Sequence, residues 1–251
     1  MSVVRPQSFP LHIHAGFTGA RKPPDFHGDR FTFDLQGDAE GEDSVASRLW
    51  LLGHCGLEAG AWRDVEQVHG HRCVEQRSSK PWRREQADAL WTTSEGLVLA
   101  IRTADCVPVL ITSSSQPLAV AIHAGWRGTY QQIVSKSLRQ ILEVTQIQPD
   151  SLVAAIGPCI HSNAFEVDAD VAGPFETRFG SSVVQPTLGK DQRWNVDLVE
   201  ANRQELAAVG MSADKIEVMD ECTFSNHDYW SFRRQRTAAG RQVAWISLTG
   251  R

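Results

Sequence analysis

Residues 97–122, LVLAIRTADCVPVLITSSSQPLAVAI, hold three apolar runs separated by short polar segments. The runs are 97–101, 107–111 and 118–122, and a fourth, 152–156, follows further along the chain. Near-continuous apolar runs of this length, bounded by turn residues, are typical of strands covered on both faces. The polar segment SSSQ predicts a hairpin-like turn between the second and third strands. The centre of the chain is therefore predicted to be a buried sheet.

Helical periodicity and capping signals predict three helices around these strands. They begin at Asp43 or Ser44, at Thr129 with Gln132 as its capping-box partner, and at Asp197. The first ends at Gly56 and the third at Gly210. The predicted apolar faces are Val45, Leu49 and Leu52 in the first helix and Val134, Leu138, Ile141 and Leu142 in the second.

The remaining segments indicate a single domain over residues 1–251. Residues 19–42, rich in Gly, Pro, Asp and Glu, predict a long loop or irregular arm. The tail predicts further strands at 215–219, 230–234 and 242–248. Because strands outnumber helices and alternate with them in mixed order, the fold class is α/β or mixed α+β, with packed sheets covered by helices.

The composition limits the classes of partner. The 251 residues carry 25 Lys and Arg against 30 Asp and Glu, a net charge of −5, which argues against nucleic acid and anionic membranes. No apolar run approaches the roughly 18 residues that span a bilayer, and the N-terminal segment is not typical of a secretory signal. Five cysteines without a Cys-x-x-Cys pair do not indicate a disulfide framework. These features predict a soluble, cytoplasmic protein.

Three residues share a setting that suits chemistry: His69 in QVHG, Cys106 in ADC and His123 in IHAG. Cys106 and His123 follow apolar strands, and both histidines are close to glycines that allow close approach of backbone or ligand. If the three converge, a Cys and two His form a three-ligand zinc site with an open position. The sequence spacings of His69, Cys106 and His123 match no local metal motif. The alternative is therefore that the three residues do not meet and are ordinary buried or surface side chains. A second alternative makes Cys106 a thiolate nucleophile with His123 as its base.

Several arginines are candidates for binding an anion. Arg127 lies in GWRGT, where the predicted helix N-terminus offers free N–H groups and the positive end of the helix dipole. Arg233 and Arg234 are adjacent on the predicted strand 230–234, so at most one of them is expected to face a given site. Arg48 lies beside the apolar face of the first helix, where a structural salt bridge is the alternative to a substrate contact.

The segments QVHG, ADAL, TADCVPVLI, AIHAGWRGT, AIGPCI, CTF and WSFRRQRTAAGR occur in this order. Together they resemble the YfiH-like laccase-domain family, whose older name is multicopper polyphenol oxidase. The resemblance implies a four-layer α/β/β/α core with mixed sheets. It implies a metal site, usually zinc, at His69, Cys106 and His123, and it favours a site role for Arg48. The family is also similar in fold to toxin deamidases that use a Cys and a His.

The resemblance implies activity on purine nucleosides with phosphate, namely phosphorolysis of adenosine, inosine and methylthioadenosine, together with adenosine deamination. In that function Cys106 and His123 are the catalytic candidates, and Arg127 with Arg233 or Arg234 would hold the phosphate. Zinc is the expected cofactor and copper its alternative. The protein is expected to be a monomer or small homo-oligomer.

Other functions stay open at this stage. They are a copper-dependent polyphenol oxidase, for which nine histidines are few, a Cys/His hydrolase, and a metal-binding protein without turnover. The His-x-Glu and Pro-Cys-x-x-Cys signature of the zinc nucleobase deaminases is absent from the sequence. The segment at 15–18, AGFT, departs from the family's usual Gly-Gly-x-Ser, which puts the substrate preference in doubt. Cys159 is expected to serve packing alone.

Overall fold

Two large mixed sheets lie face to face in this computed structural model, which describes residues 3–36, 39–79 and 81–249. The first sheet has the order β1-β2-β16-β8-β5 and the second β15-β11-β9-β10-β7-β6. A three-stranded sheet, β12-β14-β13, and a two-stranded ribbon, β3-β4, complete the strands of the described ranges.

The strands are β1 (Val3–Val4), β2 (Ile13–Thr18), β3 (Leu35–Gln36), β4 (Ala39–Glu40), β5 (Trp62–Arg63), β6 (Cys73–Glu75), β7 (Ala89–Thr92), β8 (Val98–Thr103), β9 (Val107–Ser113), β10 (Ala119–Ala124), β11 (Leu152–Ile156), β12 (Glu166–Val167), β13 (Val184–Pro186), β14 (Trp194–Val196), β15 (Ile216–Val218) and β16 (Gln242–Leu248). The helices are α1 (Glu42–His54), α2 (Trp126–Tyr130), α3 (Ile133–Thr145), α4 (Ala169–Phe179), α5 (Leu198–Ala207) and α6 (Phe232–Gln235).

The four central apolar runs are strands, as predicted, and each is buried on both faces. Alternate residues of one strand pack into different cores. In β9, Leu110 faces the other sheet, whereas Val109 and Ile111 face the helices α3 and α5. The residues of the first sheet that meet Leu110 include Ile101 and Ile246. Because each sheet has an apolar layer on both sides, its strands read as continuous apolar sequence rather than as alternation.

Helix α1 covers the outer face of the first sheet. Leu51 and Leu52 pack there with Trp245 and with the arm residues Phe31 and Phe33. Leu49, predicted on the apolar face, is instead 48% exposed, because the buried stripe passes through Ser47 and Leu51. The four-layer α/β/β/α order is thereby confirmed.

The predicted N-cap of the first helix is wrong. The helix begins at Glu42 with Gly41 as its N-cap, and no side chain caps it. The Asp43 carboxylate accepts hydrogen bonds from the backbone N–H groups of Asp29 and Arg30, and the Ser44 hydroxyl donates to the carbonyl of Asp34. Both side chains are therefore used to fix the preceding arm, residues 19–34, which lacks regular structure before the ribbon β3-β4.

The helices α3, α4 and α5 cover the second sheet. The start of α5 is as predicted, since the Asp197 side chain accepts a hydrogen bond from the N–H of Glu200. The predicted capping box at Thr129 and Gln132 is wrong, because Thr129 lies inside the short helix α2. Gln132 follows with φ 63°, a left-handed conformation that separates α2 from α3.

The predicted strand 230–234 is also wrong. This segment turns into the one-turn helix α6, which the Ser231 hydroxyl caps by accepting from the N–H of Arg234. The single-domain prediction over 1–251 and the arm at 19–42 extend partly beyond the described residues, since 1–2, 37–38, 80 and 250–251 lie outside them. No helix in the described ranges is long and apolar enough to cross a membrane. The five cysteines are free thiols.

Candidate metal centre and substrate cleft

His69, Cys106 and His123 converge at one edge of the second sheet. His69 lies in the loop between β5 and β6, Cys106 directly precedes β9, and His123 is the penultimate residue of β10. Because β9 and β10 are antiparallel and pair Val107 with Ala124, the start of one strand lies beside the end of the other. The candidate ligand atoms of the three residues all lie within 4.8 Å of one another.

Gly125 allows the side chains of Cys106 and His69 to lie close to its backbone. A Cβ at this position would lie 3.0 Å from Sγ of Cys106 and 3.1 Å from Cδ2 of His69. Contacts this short are tighter than most contacts of a Cβ atom, so a larger residue would require the cysteine, the histidine or the loop to shift. The glycine of the motif HAG is thus explained by the approach of two candidate ligands to its backbone.

A buried carboxylate that no sequence pattern indicated orients the cluster. Asp88, which directly precedes β7, accepts from Nδ1 of His123 at 2.8 Å. It also accepts from the backbone N–H groups of His69 at 2.9 Å and Gly70 at 2.6 Å. With its Nδ1 proton donated to Asp88, His123 presents Nε2 as a lone-pair donor. Such carboxylate–histidine pairs are typical of metal centres.

The electrostatics of the cluster favour charged forms. Burial raises the pKa of the Cys106 thiol, but the imidazoles of His123 and His69 outweigh burial and hold that pKa below its ordinary value. Burial lowers the pKa of His123, but Cys106 and Asp88 raise it above its ordinary value. A thiolate beside an imidazolium suits the nucleophile and base that the sequence left as an alternative. A metal bound by the same residues would take the place of the proton on Nε2 of His123.

Asp105 fixes the backbone next to the cysteine. It has φ 89°, a conformation that favours glycine. Its carboxylate accepts from the Thr223 hydroxyl at 2.7 Å and from the N–H of Arg233 at 2.6 Å. The motifs ADC, CTF and SFRR, which are distant in sequence, are therefore joined at one residue. These contacts hold Cys106 at the turn before β9.

The cluster lies in a cleft of about 620 Å³. Its apolar wall includes Trp126, Phe165 and Phe232, and Phe232 is 46% exposed. Five arginines also line it: Arg102, Arg127, Arg233, Arg236 and Arg241. A cavity of this size, with aromatic walls and positive charge, fits a small anionic or nucleoside-sized ligand.

The predicted arginines have different surroundings. Arg127 is exposed in the cleft, with its guanidinium 4.3 Å from the ring centroid of Trp126. Arg233 lines the cleft, donates to the carbonyls of Ala164 and Glu166 and lies 5.2 Å from the ring of Phe165. Arg234 instead donates to the carbonyls of Thr223, Phe224 and Tyr229. Arg48, half-buried on α1, is not among the described residues that line the cleft.

The different directions of Arg233 and Arg234 arise from a helical turn, where adjacent residues are about 100° apart, and not from the strand alternation predicted for them. The helix N-terminus predicted beside Arg127 is the five-residue α2, so the side chain of Arg127 is a stronger anion-binding feature than this short helix. Arg236 and Arg241 line the cleft but were not predicted.

A four-layer α/β/β/α fold with a His–Cys–His cluster beneath an arginine-lined cleft defines a class of enzymes with a candidate metal site. The chain belongs to the family described as multi-copper polyphenol oxidoreductase laccase, whose model matches residues 32–249. The resemblance drawn from the motifs is thereby confirmed.

Relatives and solved structures agree with this assignment. A "Purine nucleoside phosphorylase" from Bacteroides thetaiotaomicron is 33% identical over 201 residues, which cover 79% of this chain and 68% of that protein. An "Adenosine deaminase RL5" from an unknown prokaryotic organism is 36% identical over 171 residues, 64% of this chain and 62% of that protein. The crystal structure of YlmD from Geobacillus stearothermophilus superposes with a TM-score of 0.89 at 26% identity, covering 100% of this chain and 97% of that one.

Proposed function

We propose that the protein is a purine nucleoside phosphorylase. Phosphate attacks C1′ of the riboside, the bond from C1′ to the purine nitrogen breaks, and the products are free base and ribose 1-phosphate. The observation that carries the proposal is the cleft, which places the exposed guanidinium of Arg127 in the same cavity as the His–Cys–His cluster and three aromatic side chains. The name of the Bacteroides relative supports the same reaction.

The side chains divide the work of binding. Phe232, an exposed aromatic side chain, offers an apolar face on which a purine can pack. Beside it lie Trp126 and Phe165, whose rings each carry a guanidinium, that of Arg127 and that of Arg233. Arg127 is proposed to bind phosphate, with Arg233 as a second positive charge already fixed by carbonyl contacts. Holding phosphate in line with C1′ makes the attack intramolecular in effect and lowers the barrier by several kcal/mol. Because Arg234 is bonded to three carbonyls, its proposed role is structural, whereas Arg48 is retained as a proposed substrate contact from the resemblance.

Zinc is the metal proposed for the cluster. The residues fit it, since a thiolate and two imidazoles converge within 4.8 Å, and Asp88 leaves Nε2 of His123 free to ligate. Copper is the alternative, because copper sites also use one Cys and two His as ligands. A bound zinc ion would supply Lewis acidity to this part of the cleft. His69, Cys106 and His123 would hold it, and Cys106 and His123 are also the proposed catalytic pair.

Adenosine deamination is a second candidate, supported by the name of the deaminase relative at 36% identity. Both reactions use a purine nucleoside as a small-molecule substrate, so one cleft serves either. We place the reaction in the cytoplasm, because five free thiols suit a reducing compartment. The proposed assembly is a monomer or small homo-oligomer, with no role for nucleic acid or membrane.

Product analysis tests the function directly. Adenosine and inosine are each incubated with the protein in buffer with and without phosphate, and the sugar products are identified by mass spectrometry. We expect adenine or hypoxanthine together with ribose 1-phosphate, formed only with phosphate. Equal release of base without phosphate would indicate a hydrolase. Inosine formed from adenosine, with no free base, would indicate that deamination is the main reaction.

A further inference from the structure

Arg236 has a backbone conformation that arginine rarely adopts. It follows α6 with φ 54° and ψ −130°, a region that is open to glycine but costly for a residue with a Cβ. Such a residue persists where the surrounding structure or a function favours it over glycine. The reason for an arginine at this position should therefore be found in its side chain.

The fold itself gives the Arg236 side chain no role. It is exposed, and none of the described residues accepts a hydrogen bond from its guanidinium. The neighbouring arginines differ. Arg233 donates to two carbonyls, Arg241 donates to the carbonyls of Ala239 and Gly240, and Arg102 is paired with Asp64. The backbone of Arg236 is hydrogen-bonded, since its N–H donates to the carbonyl of Phe232 and its carbonyl accepts from the N–H of Ala239. The side chain adds neither burial nor a hydrogen bond to any of the described residues, and the same backbone contacts are open to a glycine.

The position of Arg236 supplies the reason, because this residue lines the cleft above the His–Cys–His cluster. The carboxylates of that cleft have other partners. Asp105 accepts from Thr223 and from the N–H of Arg233. Asp34 accepts from Thr32 at 3.0 Å and lies 3.9 Å from Arg241, and Glu66 accepts from the side-chain amide of Gln86 at 3.2 Å. The positive charge of Arg236 therefore has no carboxylate hydrogen-bonded to it and faces the space that a ligand would fill.

We propose that Arg236 is an anion-binding residue of this cleft, which contacts a phosphoryl group of the substrates. The ligand is either inorganic phosphate or a phosphate carried by the nucleoside itself. A guanidinium offers paired N–H groups that match two oxygens of a phosphoryl group. The inference rests on the proposed function, because it assumes that the nucleoside and phosphate meet in this cleft.

The decisive variant is Arg236→Gly, because glycine relieves the strain while it removes the guanidinium. We expect the variant to melt at a higher temperature than the wild type in phosphate-free buffer. We also expect the affinity for inorganic phosphate, measured by titration calorimetry, to fall about tenfold or more, as for loss of a charge-assisted contact. A gain in stability with a loss of binding is the signature of strain retained for function. A merely structural arginine would show no change in phosphate affinity.

Two further variants serve as controls. Gln146→Gly also places glycine at a positive φ, 58°, at the end of α3 and outside the cleft, and should raise the melting temperature with phosphate affinity unchanged. Arg236→Ala keeps the strain and removes the charge, so it should lose phosphate affinity without the gain in stability.

The source of the phosphoryl group is identified by repeating the titration with adenosine 5′-monophosphate. Weaker binding of inorganic phosphate by Arg236→Gly assigns the residue to the phosphate co-substrate. Weaker binding of the monophosphate alone assigns it to a phosphorylated nucleoside. Unchanged binding of both ligands, or a lower melting temperature of Arg236→Gly, overturns the proposal. Because these titrations need no turnover, they remain informative even if the wild type forms no ribose 1-phosphate, the result that would refute the proposed function.

Discussion

Replacing Asp88 by asparagine should weaken metal binding although Asp88 touches no metal ligand atom. The carboxylate accepts from Nδ1 of His123 at 2.8 Å and from the N–H groups of His69 at 2.9 Å and Gly70 at 2.6 Å. An amide has one accepting oxygen in place of two, so its NH₂ group must face one of these donors. If it faces Nδ1, the imidazole takes the other tautomer and its Nε2, which carries a proton, cannot ligate.

The size of the effect follows from these contacts. Loss of an outer partner of a ligating histidine typically lowers metal affinity by about 10- to 100-fold, which corresponds to about 1.4–2.8 kcal/mol of binding free energy. Hydrogen bonds to charged groups are worth about 1.5–3 kcal/mol each. Since more than one is disturbed and the side chain is fully buried, we expect the free energy of unfolding to fall by about 2–4 kcal/mol.

The assay is competition between the protein and a zinc chelator, with urea unfolding measured on the same samples. Glu217→Gln is the matched control, since this carboxylate accepts from the N–H groups of Gln7 at 3.1 Å and Ser8 at 2.8 Å, away from the cleft. The control should lose some stability and keep its zinc affinity. Zinc affinity equal to the wild type in folded Asp88→Asn would refute the argument that this carboxylate sets the tautomer of His123.

The remaining predictions concern Arg127 in the cleft, Gly125 beside the cluster and the buried ion pairs of Asp64. Arg127→Ala should raise the KM for phosphate about tenfold with an unchanged melting temperature, whereas Arg178→Ala, which removes a similar stack on Tyr130 outside the cleft, should leave the KM unchanged. Gly125→Ala should lower the zinc content measured by elemental analysis, because its Cβ would lie 3.0 Å from Sγ of Cys106; full zinc content would show that the loop yields. Burial raises the pKa of Asp64, but Arg102 and Arg84 outweigh it and hold that pKa below its ordinary value in the folded protein. This stabilisation is present at neutral pH and lost as the pH falls below about 4, so Asp64→Asn should unfold more easily at pH 7 and show a flatter acid limb in urea titrations; an unchanged limb would exclude Asp64 as its source.

Much of the sheet architecture could be predicted because a continuous apolar run must be buried on both faces of its strand. A run such as LVAAI, at Leu152–Ile156, is explained only by cover on both faces, and the structure places one core on each side of β11. The convergence of His69, Cys106 and His123 was implied by the family resemblance, whereas their spacing alone left it open. Two of them stand at strand ends, where antiparallel pairing brings the ends together.

Asp88 could not be found in this way because its role depends on tertiary contacts. It lies in ADAL beside a buried strand, where a polar residue reads as a strand end. Only the parallel pairing of β6 with β7 brings the loop at 68–70 against its carboxylate. The strand predicted for the segment WSFRR was wrong for a local reason. Its apolar–polar alternation is typical of a strand, but the Ser231 hydroxyl accepts a hydrogen bond from the N–H of Arg234 and starts a helical turn.

Residues that line the cleft also have rare backbone conformations, which sequence patterns do not indicate. Six non-glycine residues of the described ranges have positive φ, and three of them, His69, Asp105 and Arg236, line the cleft. Propensities assign each residue its common conformation, so they fail where the backbone is forced into a rare one. At Asp105 the cost is offset by two hydrogen bonds to its carboxylate, and the result is the position of Cys106. At Arg236 no hydrogen bond to the side chain offsets it within the described residues, so the partner we propose there is a ligand.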